Sequence, residues 1–292
     1  MAILTLKTRL RAYYYLTKPG IIYGNIMTAA AGFLLAAKGH INILLLLVTL
    51  AGTSLIIASA CVFNNYIDRD IDKKMARTKK RALVSGNISA RNALVYASAL
   101  GLTGGAILGY RVNGLVLGIG LVGFVSYVGL YTYAKRKTLW GTEIGSISGA
   151  TPIIAGYCAV TNNIDTGAVL LFLIMVLWQM PHFYAIAIYR LDDYSKAKIP
   201  VLPAVKGILA TKARMTTYIA FYFLAAYLLF ATGYANTWTY LLVMGGLCAY
   251  WLRLALQGRQ AADDAVWARK LFFFSLKVLL MFCLLLATNS LL

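Results

Sequence analysis

The chain has 292 residues, 61% of them hydrophobic and 13% charged. A mean hydropathy of +0.73 excludes a water-soluble globule, whose apolar share is about 45–50%. The 28 Lys and Arg against 9 Asp and Glu give a formal charge of +19, which asks for an anionic partner such as a membrane surface or a phosphate; no nucleic-acid partner is expected, since no separate basic or aromatic-rich basic module is present.

Apolar runs of about 20 residues are long enough to cross a hydrocarbon core of about 30 Å. Inside lipid the backbone must satisfy itself, so these runs are helices. Nine are expected, at 19–37, 42–65, 91–110, 114–134, 142–161, 168–189, 215–233, 237–256 and 271–290. The tail before them holds Lys7, Arg9, Arg11 and Lys18 without a long Ser- and Arg-rich presequence, and the run from Ile21 has no small-residue cleavage site, so it reads as a retained span. The tail and the stretches 66–91, 135–137, 190–214 and 253–270 hold 25 of the 28 basic residues. The rest are Lys38, Arg111 and Lys277. The positive-inside rule then places the N-terminus in the cytoplasm and the C-terminus on the far side. Basic loops beside the bilayer meet anionic lipid heads. The expected fold is an all-α integral membrane protein, one polytopic domain over 1–292 with nine transmembrane helices around a central cavity. Cys61, Cys158, Cys248 and Cys283 each lie alone within a span, which argues against disulfides and zinc.

Five of the acidic residues form two clusters, at the ends of the second and sixth spans. In CVFNNYIDRDIDKK, helical geometry puts Asn64, Asp68 and Asp72 within an arc of about 80°, while Asp70 points away with Arg69, Lys73 and Lys74. Like charges at i,i+4 repel unless a cation sits on them. A hard divalent ion with oxygen ligands, Mg²⁺, suits that stripe. An EF-hand does not: counted from Asp68, its glycine position is Lys73 and its last ligand position is Lys79.

In WQMPHFYAIAIYRLDDYSKAKIPVLP, His182, Tyr189 and Asp193 fall within about 40° of one another, with Trp178 adjacent, and Pro181 frees a carbonyl inside the helix. Arg190, Lys196 and Lys198 flank Asp193, and Tyr131 and Lys135 form an i,i+4 pair at the end of the fourth span. Mg²⁺ binds through one or two carboxylates plus substrate phosphates. Carboxylates ringed by Lys and Arg therefore suit a metal-bridged diphosphate, and a greasy helical chamber beneath them suits its hydrophobic tail. An isoprenyl diphosphate meets both conditions.

With these residues assembled, the chain resembles the UbiA superfamily of intramembrane prenyltransferases, through an NxxxDxxxD motif after the second helix and a second acidic motif after the sixth. The strings TKPGIIYGN, CVFNNYIDRDIDKKMARTKKR, WQMPHFYAIAIYR and DDYSKAKIPVLP are similar to its heme-modifying branch, over essentially the full length. The resemblance implies that Asn64, Asp68 and Asp72 hold Mg²⁺ and diphosphate, and that Tyr131 and Lys135 form a YxxxK element whose lysine grips the diphosphate. Arg69, Arg77, Arg190, Lys196 and Lys198 are further candidate substrate-binding cations. Where many members have DxxxD in the second motif, Asp193 is followed by Ala197, which leaves Asp193 as a single carboxylate paired with Lys196 or Lys198. The implied reaction moves a farnesyl group from farnesyl diphosphate to a vinyl group of heme B, water completing heme O. Tyr66, Trp178 and Tyr189 are candidate stabilisers of the allylic cation, and His182 a candidate heme contact or base. The implied setting is a bacterial plasma membrane with the site on the cytoplasmic side, and heme A synthase or a terminal-oxidase assembly protein as candidate partners. Two rival readings stand beside it. One is prenylation of an aromatic or quinone-precursor acceptor; the other is secondary transport, which the carboxylates' position at helix ends disfavours.

Overall fold

The computed structural model describes residues 6–289; Ser290, where the last expected span ends, lies outside them. Among the described residues nine helices are long and apolar enough to cross a bilayer: Pro19–Ala37, Ile43–Ile67, Ala90–Val112, Gly114–Lys137, Gly141–Thr161, Thr166–Tyr189, Gly207–Ala231, Trp238–Gln260 and Asp264–Asn289. Several begin on polar side chains that accept from otherwise orphaned amides. Asn42 accepts from Leu45 N at 3.0 Å, Asn113 from Val116 N at 2.8 Å and Asp165 from Ala168 N at 3.0 Å.

Two spans begin earlier than hydropathy predicts, at Gly207 and Asp264 instead of 215 and 271. Their added turns are polar, and the network across them explains why helix persists there. Lys212 Nζ donates to Gly258 O at 2.6 Å and pairs with Asp264, so both charges are satisfied past the end of the apolar run. A further helix, Leu6–Leu16, precedes the first span. It rests Leu16, Ala12 and Tyr13 on Val62, Ala93 and Ala97.

The sixth span is the hub, packing against the fifth, seventh and ninth. The first and fifth cross closely enough that a Cβ on Gly156 would stand 1.8 Å from Ala29 O, so only glycine fits. The fourth span contains a π-helical turn at Ser126–Tyr131, a distortion frequent at functional sites. Beyond the spans, Arg69–Asp72 and Leu191–Lys196 are short helical tips. They meet, since Ile71 and Met75 share one apolar cluster with Tyr194, Ala197 and Ile199. The carboxylate-bearing ends of the second and sixth spans therefore face a common region.

Candidate active site

Asn64, Asp68 and Asp72 project from the end of the second span into the protein and are 2%, 4% and 5% exposed. Buried carboxylates require compensation, and here three cations from two other segments supply it. Lys135 of the fourth span pairs with Asp68 Oδ2. Arg136 reaches Asp68 Oδ1 at 3.2 Å, Asp70 at 2.9 Å and Ile67 O at 2.8 Å. Arg81, on the loop after the tip, binds Asp72 at 2.6 Å and Asn65 Oδ1 at 3.0 Å.

Asn64 is held at both ends, because its Oδ1 accepts from Lys18 Nζ at 2.7 Å and its Nδ2 donates to Thr132 Oγ1 at 3.1 Å. Lys18 also donates to the Tyr127 hydroxyl at 3.3 Å. Burial lowers its ammonium pKa to about 8. Tyr131 stacks on Tyr127 with centroids 5.4 Å apart, and the Lys135 ammonium stands 5.0 Å from the Tyr131 ring. The π turn seats Tyr131 one helical turn before Lys135, and Tyr127 one turn further back. From the opposing tip comes Tyr194, whose phenol burial pushes up to about 12, so it remains a neutral donor; Arg77 and Tyr131 lie within its electrostatic reach. Asp70 is exposed and the Arg136 guanidinium holds its carboxyl below the usual range.

The other expected site residues divide. Trp178 and His182 are turned against the ninth span. Trp178 Nε1 donates to Ser275 O at 2.8 Å, its ring stacks on His182 at 4.7 Å, and His182 Nδ1 lies 2.8 Å from Ser275 Oγ. Ser275 gives its one hydroxyl proton to Phe272 O at 2.6 Å, so it accepts from Nδ1–H and leaves Nε2 as the imidazole's acceptor. Tyr189 lies between the guanidiniums of Arg190 and Arg269, at 5.3 and 5.6 Å.

Asp193 lies 3.8 Å from Arg190. That corrects the expected pairing with Lys196 or Lys198, both of which are exposed; the turn of Leu191–Lys196 brings the i,i−3 arginine to the carboxylate instead. Arg69 is exposed too and folds back to donate to Tyr66 O at 2.7 Å, so its fork is occupied outside the carboxylate cluster. Ala197, the position of the missing second carboxylate, is buried in the apolar contact between the two tips. An acid there would be desolvated beside Ile71 and Met75.

Lys18, Arg81, Arg136, Tyr127 and Tyr194 join the site although no sequence pattern singles them out as a group. Each lies in a stretch that reads as topology charge or apolar filling. One signal was available for Tyr127, at i−4 from Tyr131 on the same helical face.

Among the described residues no three acidic, His or Cys side chains converge as a metal cage. Two buried carboxylates one turn apart, with surrounding cations in excess, nevertheless fit a divalent ion that takes its remaining ligands from a phosphate.

The UbiA prenyltransferase family model matches residues 25–277. The chain belongs to the UbiA prenyltransferase family. Among similar UbiA members, the protoheme IX farnesyltransferase of Sodalis glossinidius is 54% identical over 269 residues, 91% of this chain and 90% of the relative. That of Yersinia pseudotuberculosis is 53% identical over 268 residues, with the same coverage. Solved structures share the UbiA fold. A digeranylgeranylglyceryl phosphate synthase superposes with a TM-score of 0.79 at 20% identity, covering 97% of this chain and 99% of that one. A UbiA homologue from Archaeoglobus fulgidus bound to GPP and Mg²⁺ gives 0.71 at 15% identity, covering 95% and 99%.

Proposed function

We propose that this UbiA prenyltransferase moves a farnesyl group from farnesyl diphosphate to a vinyl group of heme B, with addition of water, to give heme O. The observation that carries the acceptor is the identity of 54% across nine-tenths of the length to a protoheme IX farnesyltransferase. The diphosphate half is supported by buried Asp68 and Asp72 among Lys135, Arg136 and Arg81. An aromatic or quinone-precursor acceptor is an outcome of the test below.

In this reading Asp68 and Asp72, with the Asn64 oxygen, hold Mg²⁺, which when bound helps neutralise the charge of the departing diphosphate. Lys135, Arg81 and Arg136 each exchange a carboxylate for a phosphoryl oxygen as substrate arrives, so the site stays balanced in both states. The C1–O bond of the farnesyl group breaks, its electron pair leaving with diphosphate. The aromatic faces of Tyr131 and Tyr127 attract the allylic cation. The vinyl π pair forms a bond from its terminal carbon to C1, water adds to the cation left on the carbon beside the ring, and His182 Nε2 takes the proton that water releases. Site and N-terminus lie on the cytoplasmic side of a bacterial plasma membrane, a placement that rests on the bias of Lys and Arg.

The deciding experiment incubates purified protein in lipid with heme B, farnesyl diphosphate and Mg²⁺ and analyses products by mass spectrometry. Heme O is expected. Prenylation of a non-heme aromatic acceptor, with heme B untouched, overturns the acceptor assignment.

A further inference from the structure

Lys18 is the residue of the site least explained by its backbone. It follows the cap of the Leu6–Leu16 helix, where the chain reverses into the first span, and it holds φ 56° and ψ 64°. Such a reversal needs left-handed backbone, which glycine adopts freely and lysine does not. Pro19 adds a second restriction, because the residue before a proline is steered towards extended conformations. The turn itself calls for no cation. Strain kept at a position where a cheaper residue would serve is an observation that points to function.

The side chain runs inward from that turn. Its ammonium donates to Asn64 Oδ1 at 2.7 Å and to the Tyr127 hydroxyl at 3.3 Å, and stands 5.6 Å from the Tyr127 ring. Arg81, Lys135 and Asp68 lie within electrostatic reach. Asp68 is taken by Lys135 and Arg136, and Asp72 by Arg81. Lys18 alone among these cations forms no ion pair with a carboxylate of the described residues. A partly desolvated ammonium that meets only neutral acceptors gains most from an incoming anion.

We propose that Lys18 binds the diphosphate of the substrate, exchanging Asn64 Oδ1 for a phosphoryl oxygen as the site fills and thereby freeing the Asn64 oxygen. This rests on the reading that the site takes a diphosphate. It adds a ligand from the turn before the first span to a cradle otherwise built from the second and fourth spans and the loop after the second. It also makes the Asn64 oxygen available only when substrate is present.

The probe is inorganic diphosphate with Mg²⁺, titrated calorimetrically into the full chain and into Lys18→Met, Lys18→Arg and Lys18→Gly. Loss of one charge-assisted hydrogen bond predicts about tenfold weaker binding for Lys18→Met, largely recovered in Lys18→Arg. The KM for farnesyl diphosphate rises in parallel and the KM for heme B stays at the parent value. Lys18→Gly relieves the backbone, so it unfolds no earlier than the parent yet shows the same weakened binding. Diphosphate affinity within about twofold of the parent in the Met and Gly variants overturns the proposal. So does a loss confined to the KM for heme B, which would make a porphyrin carboxylate the anion that Lys18 meets. A parent that binds diphosphate but prenylates a non-heme acceptor overturns the heme reading alone, because the Lys18 comparison is read on inorganic diphosphate.

Discussion

One nitrogen of Arg81 serves both Asp72 and Asn65, lying 2.6 Å from the Asp72 carboxylate and 3.0 Å from Asn65 Oδ1. Asn65 in turn donates to Leu16 O at 2.8 Å. The loop after the second span, the carboxylate tip and the N-terminal helix are thus tied by one guanidinium. Arg81→Met leaves Asp72 buried without its cation and Asn65 without its donor. With the arginine a quarter exposed, the expected loss of stability is about 1–3 kcal/mol, visible as a lower unfolding temperature in detergent. Arg81→Lys returns a charge without the fork and recovers only part of it.

Asp68 and Asp72 are expected to be individually indispensable. Asp68→Asn and Asp72→Ala should each lower turnover by about 10²-fold or more, while the protein still inserts and elutes as a single species. Removal of divalent ions with a chelator should silence the parent reversibly. Near-normal turnover in either variant removes that residue from the site.

The nine spans were legible because hydropathy reports directly on what the bilayer core demands, and Asn64, Asp68 and Asp72 were legible because helical spacing places them on one face. Hydropathy is blind just beyond the core. The turns carrying Lys212 and Asp264 are helical because those two charges pair with each other, a contact between distant segments that no local pattern reveals. Lys18 and Arg81 escaped for the same reason: each looks like one more basic residue of a topology signal until the fold brings it to Asn64 or Asp72. The pairing of Asp193 turns on which neighbour a short helical tip presents: Arg190 lies 3.8 Å away, while Lys196 ends the tip and Lys198 sits in left-handed backbone beyond it.

Ala197 permits a direct test of whether the second acidic motif is a metal site awaiting a carboxylate. Restoring the four-residue spacing with Ala197→Asp would bury an acid in the contact formed by Ile71, Met75, Tyr194 and Ile199. The expected outcome is a loss of about 1–3 kcal/mol and turnover below the parent at every Mg²⁺ concentration. A gain in activity or in Mg²⁺ affinity would show that the tip can rebuild a second site.

Gly145 sits beneath the Tyr131 ring, where an added Cβ would come within 2.7 Å of a ring carbon. The ring cannot yield without moving the Lys135 ammonium above it. Gly145→Ala is therefore expected to reduce kcat by about 10- to 100-fold through misplacement of Tyr131 and Lys135, with the unfolding temperature changed little. Unchanged kcat would detach the Tyr131 ring from the reacting centre.

Ser275 fixes the tautomer of His182, and this separates two roles for the imidazole. Ser275→Ala removes the acceptor of Nδ1–H, and an unmet buried donor is expected to destabilise the protein by about 1–3 kcal/mol. Where the ring instead moves its proton to Nε2, the unmet donor disappears and the base is abolished. If His182 takes the proton from the added water, Ser275→Ala and His182→Gln should both release diphosphate in single-turnover mixtures while heme O falls by about 10²-fold. If instead Nε2 binds the heme iron, His182→Gln should shift the absorption bands of bound heme B, and the base assignment fails.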